Sequence, residues 1–291
     1  MTHVSADYSA MNDFWDCHRY YRNRYILNLV PMEQDIQVPL LFGEAMHQAR
    51  HVLATGATVE QAIARFDEVY TVVCEARDIE DNARSPFVGH SLLWAYHKKW
   101  STPDDLLTEL GFSLELPEAN ASLIGRIDYI ANDYAHTVTD VKTSKGTFWL
   151  PQARLNFQLI GYAHALRELK GIEATQVCID ALIAKSPPKK ILAAEMPEHE
   201  YALKLFDDLH RRYGSIQPRD YDLWAQWFID TTGKIRACLE NDWWPCRAPK
   251  ACNRFGSKSC EYDLLCKAAD EEQEKEFMQK FFKEEPWHPY E

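Results

Sequence analysis

Apolar and polar positions alternate from Ser122 to Ile130 (Ser-Leu-Ile-Gly-Arg-Ile-Asp-Tyr-Ile) and again from Thr137 to Thr143 (Thr-Val-Thr-Asp-Val-Lys-Thr). Asn132-Asp133 supplies turn chemistry between them, so the pattern predicts a β-hairpin. Successive strand side chains point to opposite faces. Asp140 and Lys142 therefore share one face, and Val141 turns into the core. The hairpin carries an acid on each arm, Asp128 and Asp140, with a lysine beside the second. Thr108 to Leu116 also alternates and is expected to be the first strand of the same sheet. Gln176 to Ile183 reads as a buried strand, and Lys190 to Glu195 as another beyond the Pro187-Pro188 turn. The expected fold class is α/β, a central mixed sheet flanked by helices.

Helical spacing accounts for most of the remainder. Gln152 to Leu169 places Leu155, Leu159, Tyr162, Ala163 and Leu166 on or near one face, with Gln158 and Tyr162 one turn apart. Ser9 to about Leu29 predicts a helix with Ser9 as N-cap and Phe14, Cys17, Tyr21 and Tyr25 along one face. Phe42 to Ala54 predicts another, with His47 near its start. Thr58 to Arg77 and Ser85 to Trp100 follow, with Thr58 and Ser85 as N-caps and Pro86 in the first turn. This helical half is expected to wall a cleft at the hairpin. A long helical region runs from Pro197 to Ile235, interrupted near Gly214 to Asp220. The acidic stretch Asp270 to Lys283 reads as a solvated terminal helix.

The hydrophobic fraction of 46% and nine Trp in 291 residues indicate a globular chain with a sizeable core. No apolar run is long enough to span a membrane and the N-terminus lacks a signal-peptide pattern, so the cytoplasm is the expected location. A net charge of -12 argues against a protein that coats nucleic acid non-specifically. A site that binds cations can still attract phosphate, because bound metals invert the local sign. One basic cluster with interleaved aromatics, Arg19, Arg22 and Arg24, suits nucleic-acid contact and equally suits a solvated helix face.

The hairpin chemistry suits metal-assisted phosphodiester hydrolysis. Two carboxylates from different strands bind a hard cation such as Mg2+ or Mn2+, which prefers oxygen ligands. Such an ion acidifies water and offsets charge developing on phosphate, while Lys142 can hold the attacking water. An Asp-x-Lys strand alone is a common solvated pattern. Gly125-x-x-Asp128, Asp140-x-Lys142-Thr143-Ser144 and Gln158-x-x-x-Tyr162, in that order, form a far more specific set.

This set resembles the PD-(D/E)XK nuclease superfamily, and in particular its RecB-like branch, which includes CRISPR-associated adaptation nucleases, AddB-type nuclease domains and phage exonucleases. In that branch an upstream helical histidine joins the metal site, and Gly43-Glu-Ala-Met-His47 resembles its Gly-x-x-x-His segment. The resemblance implies His47, Asp128, Asp140 and the Val141 carbonyl as metal ligands, Lys142 as the catalytic lysine, and Gln158 and Tyr162 as a helix motif that positions DNA. Asp140 stands where the family often has Glu. Arg19, Arg22, Arg24 and Lys145 are the expected DNA contacts.

Eight cysteines without a secretory signal are poorly explained as disulfides. Cys246, Cys252, Cys260 and Cys266 crowd an irregular segment rich in Pro, Gly, Lys and Ser, which thiolate coordination would hold. Four thiolates suit a [4Fe-4S] cluster or a structural Zn2+. The family resemblance implies iron-sulfur, with Cys17 joining Cys252, Cys260 and Cys266. Seven residues separate Cys252 from Cys260 where well-known members have two, so Cys246 is a substitute ligand. Cys74, Cys178 and Cys238 fall in helix or strand patterns and are expected in the core.

The sequence thus predicts one nuclease domain over 1–291: a helical part at 8–105, a catalytic sheet core at 106–200, C-terminal helices with the cysteines at 201–268, and the acidic tail at 269–291. The expected activity is a metal-dependent DNA exonuclease with a structural [4Fe-4S] cluster, acting in recombination or repair with partner proteins of those processes. A nickase or flap endonuclease on the same fold is the rival enzyme reading. A DNA-binding or recombination-assembly protein with little nuclease activity is the rival outside enzymes.

Overall fold

The computed structural model describes residues 2–33, 37–100, 105–147, 153, 155–246, 252 and 260–287. Gln152, the expected start of the Gln158 helix, lies outside these residues, as do 247–251 and 253–259 of the cysteine segment. In chain order the elements begin with β1 (Val4–Ala6), α1 (Tyr8–Asp16), α2 (His18–Tyr21) and β2 (Leu29–Pro31). Next come α3 (Val38–Ala54), α4 (Val59–Phe66), α5 (Val72–Ala76) and α6 (Pro86–Trp100). Then follow β3 (Asp105–Leu116), β4 (Ala121–Ala131), β5 (Val138–Ser144), α7 (Phe157–Lys170) and β6 (Gln176–Ile183). The chain continues with α8 (Lys189–Ala193), α9 (Glu198–Tyr201), β7 (Leu209–Ser215) and α10 (Pro218–Asn241), and ends with α11 (Asp263–Cys266), α12 (Glu271–Phe281) and β8 (Phe282–Glu284). Among the described residues, six strands form one mixed sheet in the order β1-β4-β5-β6-β7, with β3 also pairing β4. The fold is α/β, as expected.

The chain divides into two compact units. The hairpin unit comprises Ile36–Leu110 and Ile127–Tyr221; the terminal unit comprises Met1–Asp35, Gly111–Arg126 and Asp222–Glu291. In the hairpin unit, β4 and β5 pair antiparallel with Tyr129 opposite Thr139 and Ile130 opposite Val138. Asp133 makes the turn. Its carboxylate accepts hydrogen bonds from the Ala135 and Thr137 N–H groups at 3.1 and 3.0 Å and from the Thr137 hydroxyl at 2.8 Å. β6 lies parallel to β5, and apart from half-buried Gln176 its residues are all buried, which explains its nearly continuous apolar run. Phe42, Met46, Phe66, Leu92 and Tyr96 of the helices pack with Tyr129, Val141 and Leu182 in one core. Thr58 caps α4 through a reciprocal pair with Gln61, as its Thr-x-x-Gln sequence directs.

Several expected elements differ. Lys190 to Glu195 is not a strand: α8 spans Lys189–Ala193, follows Pro188, and buries only Ile191. A five-residue segment carries too few positions to separate a helical period from alternation. Leu209–Ser215, expected within a helical region, is β7, paired antiparallel to β6 from Leu209 opposite Leu182 to Ser215 opposite Gln176. Its run His210-Arg211-Arg212-Tyr213 lacks a strand signal, and the edge of β6 supplies the pairing that propensity does not. α7 begins at Phe157 because the Asn156 side chain accepts from the Gln158 N–H and takes the N-cap role; Gly171, at φ 67°, closes it. α3 starts at Val38, so His47 lies in mid-helix.

In the terminal unit the long N-terminal helix is interrupted. Cys17 has extended backbone (φ -159°, ψ 116°) between α1 and α2, and Arg22–Ile26 forms a π-helical turn. Asp7, not Ser9, is the N-cap: its carboxylate accepts from the Ala10 N–H at 2.6 Å. The acidic tail helix ends at Phe281 and continues as β8, antiparallel to β2. It is more than a solvated face, since Phe277, Met278 and buried Phe282 pack with Leu29, Tyr262 and Leu265.

Burial pushes the Asp7 carboxyl up to about 6, against the Ala10 N–H that favours its charge. A folded-state value above the ordinary 3.8 means that this group's stabilisation is complete below pH 3.8 and is lost as the pH rises through about 6. Asp7→Asn keeps an acceptor for the cap and has no charge to bury. Urea unfolding of the two proteins should show the variant gaining on the wild type by roughly 1 kcal/mol between pH 5 and pH 8. A difference that does not change with pH would contradict this.

Candidate active site

The hairpin brings its two acids together. In the β4–β5 register, Asp128 stands opposite Asp140, one residue beyond the paired stretch. Both are removed from solvent, at 8% and 1% exposure. Asp128 Oδ2 accepts from the Val141 N–H at 2.8 Å and lies 3.4 Å from His47 Nδ1. Asp140 Oδ1 accepts from Lys142 Nζ at 2.8 Å, so the two same-face residues of β5 meet as the alternation predicted. Asp140 Oδ2 is buried and has no hydrogen-bond partner among the described residues. Burial raises the Asp128 carboxyl above the usual range; the neighbouring Asp140 charge adds to this, and His47, Lys142 and the Val141 N–H oppose it.

His47 reaches the site from α3. Its Nε2 lies 2.8 Å from the Val141 carbonyl oxygen, and because a carbonyl only accepts, Nε2 is the protonated nitrogen and Nδ1 faces Asp128. A Cβ on Gly43 would stand 3.2 Å from Thr143 Oγ1, so glycine lets α3 approach β5 at the turn that carries His47. Behind the histidine, Tyr129 donates weakly to the His47 carbonyl at 3.4 Å, and the Arg50 guanidinium sits 3.8 Å from the centre of the Tyr129 ring. Arg50 Nε also donates to Tyr96 Oη at 2.8 Å. Tyr96 Oη donates to Asp180 Oδ2 at 2.6 Å, and Arg211 Nε donates to the same oxygen at 3.1 Å. This buried network holds α3 by a residue one turn from His47.

On α7, Gln158 Nε2 donates to Tyr162 Oη at 3.0 Å, so the two motif residues share a face and bond one another. A recess of about 280 Å³ is lined by Lys142, Thr143, Ser144, Asn156 and Ile179. Lys145, expected to contact DNA, is exposed and lies 3.7 Å from Asp81 Oδ2.

One acid at this site escaped the sequence reading. The ligand atoms of His47, Glu109 and Asp128 all lie within 4.8 Å of one another. Strict alternation along β3 would place Glu109 with exposed Gly111, Ser113 and Glu115; a left-handed backbone at Glu109 (φ 49°) breaks that alternation. The one signal in the sequence is a lone carboxylate between Leu107 and Leu110.

The donor set fits a hard divalent cation. Ligand atoms about 2.1 Å from an octahedral ion stand about 3 Å apart when adjacent and about 4 Å when opposite. The 3.4 Å between His47 Nδ1 and Asp128 Oδ2 and the 4.8 Å limit are of that order. The unpartnered Asp140 oxygen is the kind of buried acceptor that a cation would satisfy.

The terminal unit gathers thiols. Cys17 is buried, Cys246 is exposed, and Cys252, Cys260 and Cys266 are half-buried. The Cys260 N–H donates to the Cys252 carbonyl at 2.7 Å. Burial, and then the nearby Cys17, Cys266 and Cys252, push the Cys246 thiol up to about 12. Burial, opposed by the Tyr262 N–H, pushes Cys260 up to about 11, with Cys266 and Cys17 adding to it. The five cysteines therefore share one electrostatic neighbourhood. Cys74 and Cys178 are buried in the hairpin unit; Cys238 is buried in the terminal unit with its Sγ 3.9 Å from His18 Nδ1. Of the basic cluster, Arg22 pairs with Glu274 at 2.9 Å, Arg24 donates to the Glu285 carbonyl at 3.5 Å, and Arg19 donates to Cys266.

No curated protein matches the chain. In fold it is similar to the crystal structure of a "Putative exonuclease" from Eubacterium rectale, with a TM-score of 0.52 and 10% sequence identity, covering 91% of this chain and 93% of that one. The family model for the PD-(D/E)XK nuclease superfamily matches residues 5–267, a span that takes in the acid-bearing hairpin, the Asp-x-Lys strand and the helix behind it. The chain belongs to the PD-(D/E)XK nuclease superfamily.

Proposed function

We propose that the protein is a Mg2+- or Mn2+-dependent deoxyribonuclease that works from DNA ends and carries a structural [4Fe-4S] cluster. The observation that carries the nuclease reading is the pair of buried carboxylates, Asp128 and Asp140, facing one another beside Lys142. Like charges so placed oppose folding and are hard to account for without a cation between them. His47, Asp128, Asp140 and the Val141 carbonyl would hold the ion, which when bound acts as a Lewis acid on phosphate and water. Asp140 holds Lys142 through their 2.8 Å hydrogen bond, and the ammonium so held would orient the attacking water. Gln158 and Tyr162 orient the substrate strand, and Lys145 contacts phosphate. Arg19, Arg22 and Arg24 take this role only by exchanging their present partners for phosphate.

The exonuclease reading is supported by the name of the structural relative. For the cysteines, Cys17, Cys252, Cys260 and Cys266 are proposed as the cluster ligands, with Cys246 as substitute. Five thiols meeting in one neighbourhood support this reading, because four thiolates complete such a cluster and its binding would overcome the burial that holds their protons.

The test is digestion of end-labelled linear and of covalently closed circular DNA with Mg2+, Mn2+ or EDTA. Iron, sulfide and zinc are assayed on anaerobically purified protein. Degradation of linear DNA alone, dependent on metal, is the expected result. Cleavage of circles would replace the exonuclease by an endonuclease, inactivity with both metals would remove the nuclease reading, and stoichiometric zinc without sulfide would replace the cluster.

A further inference from the structure

Glu109 stands in the interior of β3 with φ 49°. The other non-glycine residues at positive φ, Asn28, Asp78, Asn120, His136, Glu195 and Asp242, all lie in turns or at helix ends among the described residues. Left-handed backbone disfavours a side chain with a Cβ, and asparagine, aspartate and histidine tolerate it better than glutamate. Glycine would adopt this conformation readily, yet the chain places a long acidic side chain here. The strain turns Glu109 out of the solvent-facing series of its strand and brings its carboxylate within 4.8 Å of ligand atoms of both His47 and Asp128.

A histidine nitrogen and two carboxylates at this spacing match adjacent and opposite corners of an octahedral ion. Asp140, with a buried oxygen that lacks a partner, is an independent sign that this pocket is built around a group the polypeptide does not supply. We propose that Glu109 is a ligand of the catalytic cation on its His47–Asp128 side, held there by backbone strain. The inference rests on the metal-dependent reading above and adds to it a residue outside the hairpin. Strain concentrates where the surrounding structure enforces a functional geometry. Here β4, which carries Asp128 beside β3, and α3, which carries His47, bound the position from two sides.

A structural role and a ligand role predict opposite results. The full-length protein and its Glu109→Gln, Glu109→Gly and Asp140→Asn variants are titrated with Mn2+ by calorimetry, with free Mn2+ followed by EPR, and melted with and without the ion. Both Glu109 variants should bind Mn2+ about tenfold or more weakly. Without metal Glu109→Gly should melt above Glu109→Gln because it also relieves the strained φ, and both should lose most of the rise that Mn2+ confers. Wild-type Mn2+ affinity in the Glu109 variants, with binding lost in Asp140→Asn, would overturn the Glu109 assignment and leave the metal reading standing. Wild-type affinity in Asp140→Asn as well would remove the metal reading itself. Lower melting without metal and unchanged affinity, or failure of both Glu109 variants to fold, would make the residue structural and end the proposal.

Discussion

Asp140→Asn is expected to lower kcat/KM by about 10³-fold or more, at least about 4 kcal/mol of transition-state stabilisation, while the folded protein becomes no less stable. Both halves follow from the same geometry. Asp140 is 1% exposed, its charge raises Asp128, and one of its oxygens has no partner among the described residues, so the wild-type site without metal holds repulsion that asparagine relieves. The asparagine oxygen can still accept from Lys142, which keeps the lysine in place and confines the loss to the carboxylate charge. Lys142→Met should lower turnover by a similar factor and leave Mn2+ binding near wild type, because the lysine opposes rather than ligates a cation. Steady-state cleavage and thermal melting of the two variants provide the check. Near-normal turnover in either would overturn the roles assigned here, and a collapse of stability in Asp140→Asn would assign the residue to the fold.

The second large effect lies behind the site. Asp180→Ala should destabilise the protein by about 3–5 kcal/mol, a fall of roughly 10 °C in Tm, because it removes the carboxylate that accepts from both Tyr96 and Arg211. Asp180 is buried at 1% exposure, directly opposite Val141 in the parallel β5–β6 register, and no water can replace its charge without opening the core. Two guanidiniums, Arg50 and Arg211, would then converge on Tyr96 Oη without the Asp180 carboxylate. Asp180→Asn keeps an acceptor and should lie between. Arg50 is one turn from His47, so the damage should extend to metal affinity more than a surface substitution of equal destabilisation would. A Tm for Asp180→Ala within about 2 °C of wild type would show that the network is dispensable.

The Asp180 network illustrates what the sequence withheld about the site. Asp180 reads as one polar residue in a buried strand, Arg211 as part of a helical region, and Tyr96 as one residue of the Ser85–Trp100 helix; nothing in their spacing links them. His47 was legible only through its family-like Gly-x-x-x-His segment. The physical content of that segment, the close approach of Gly43 to Thr143, needs both elements in space. Glu109 left almost no trace, because alternation assigns it to solvent and a single left-handed residue reverses the assignment.

What the sequence determined by itself is the part written in local chemistry. The hairpin follows from alternation and from Asp133, whose side chain ties its own turn; α4 follows from its Thr58–Gln61 capping box; β6 follows from an apolar run long enough to be unambiguous. Asp140 and Lys142 meet because a strand repeats every two residues, and Gln158 and Tyr162 meet because a helix repeats about every four. Tertiary structure decided the elements whose own signals are weak or misleading. Lys189–Ala193 became a helix because it is too short to carry a period of its own. Leu209–Ser215 became a strand because the edge of β6 offered unpaired backbone groups, and the end of the acidic tail became β8 because β2 offered the same. Backbone hydrogen bonds between distant segments outweigh propensities of a few tenths of a kcal/mol per residue. A partner strand must exist before it can make that choice, so the information lies in the fold and not in the segment.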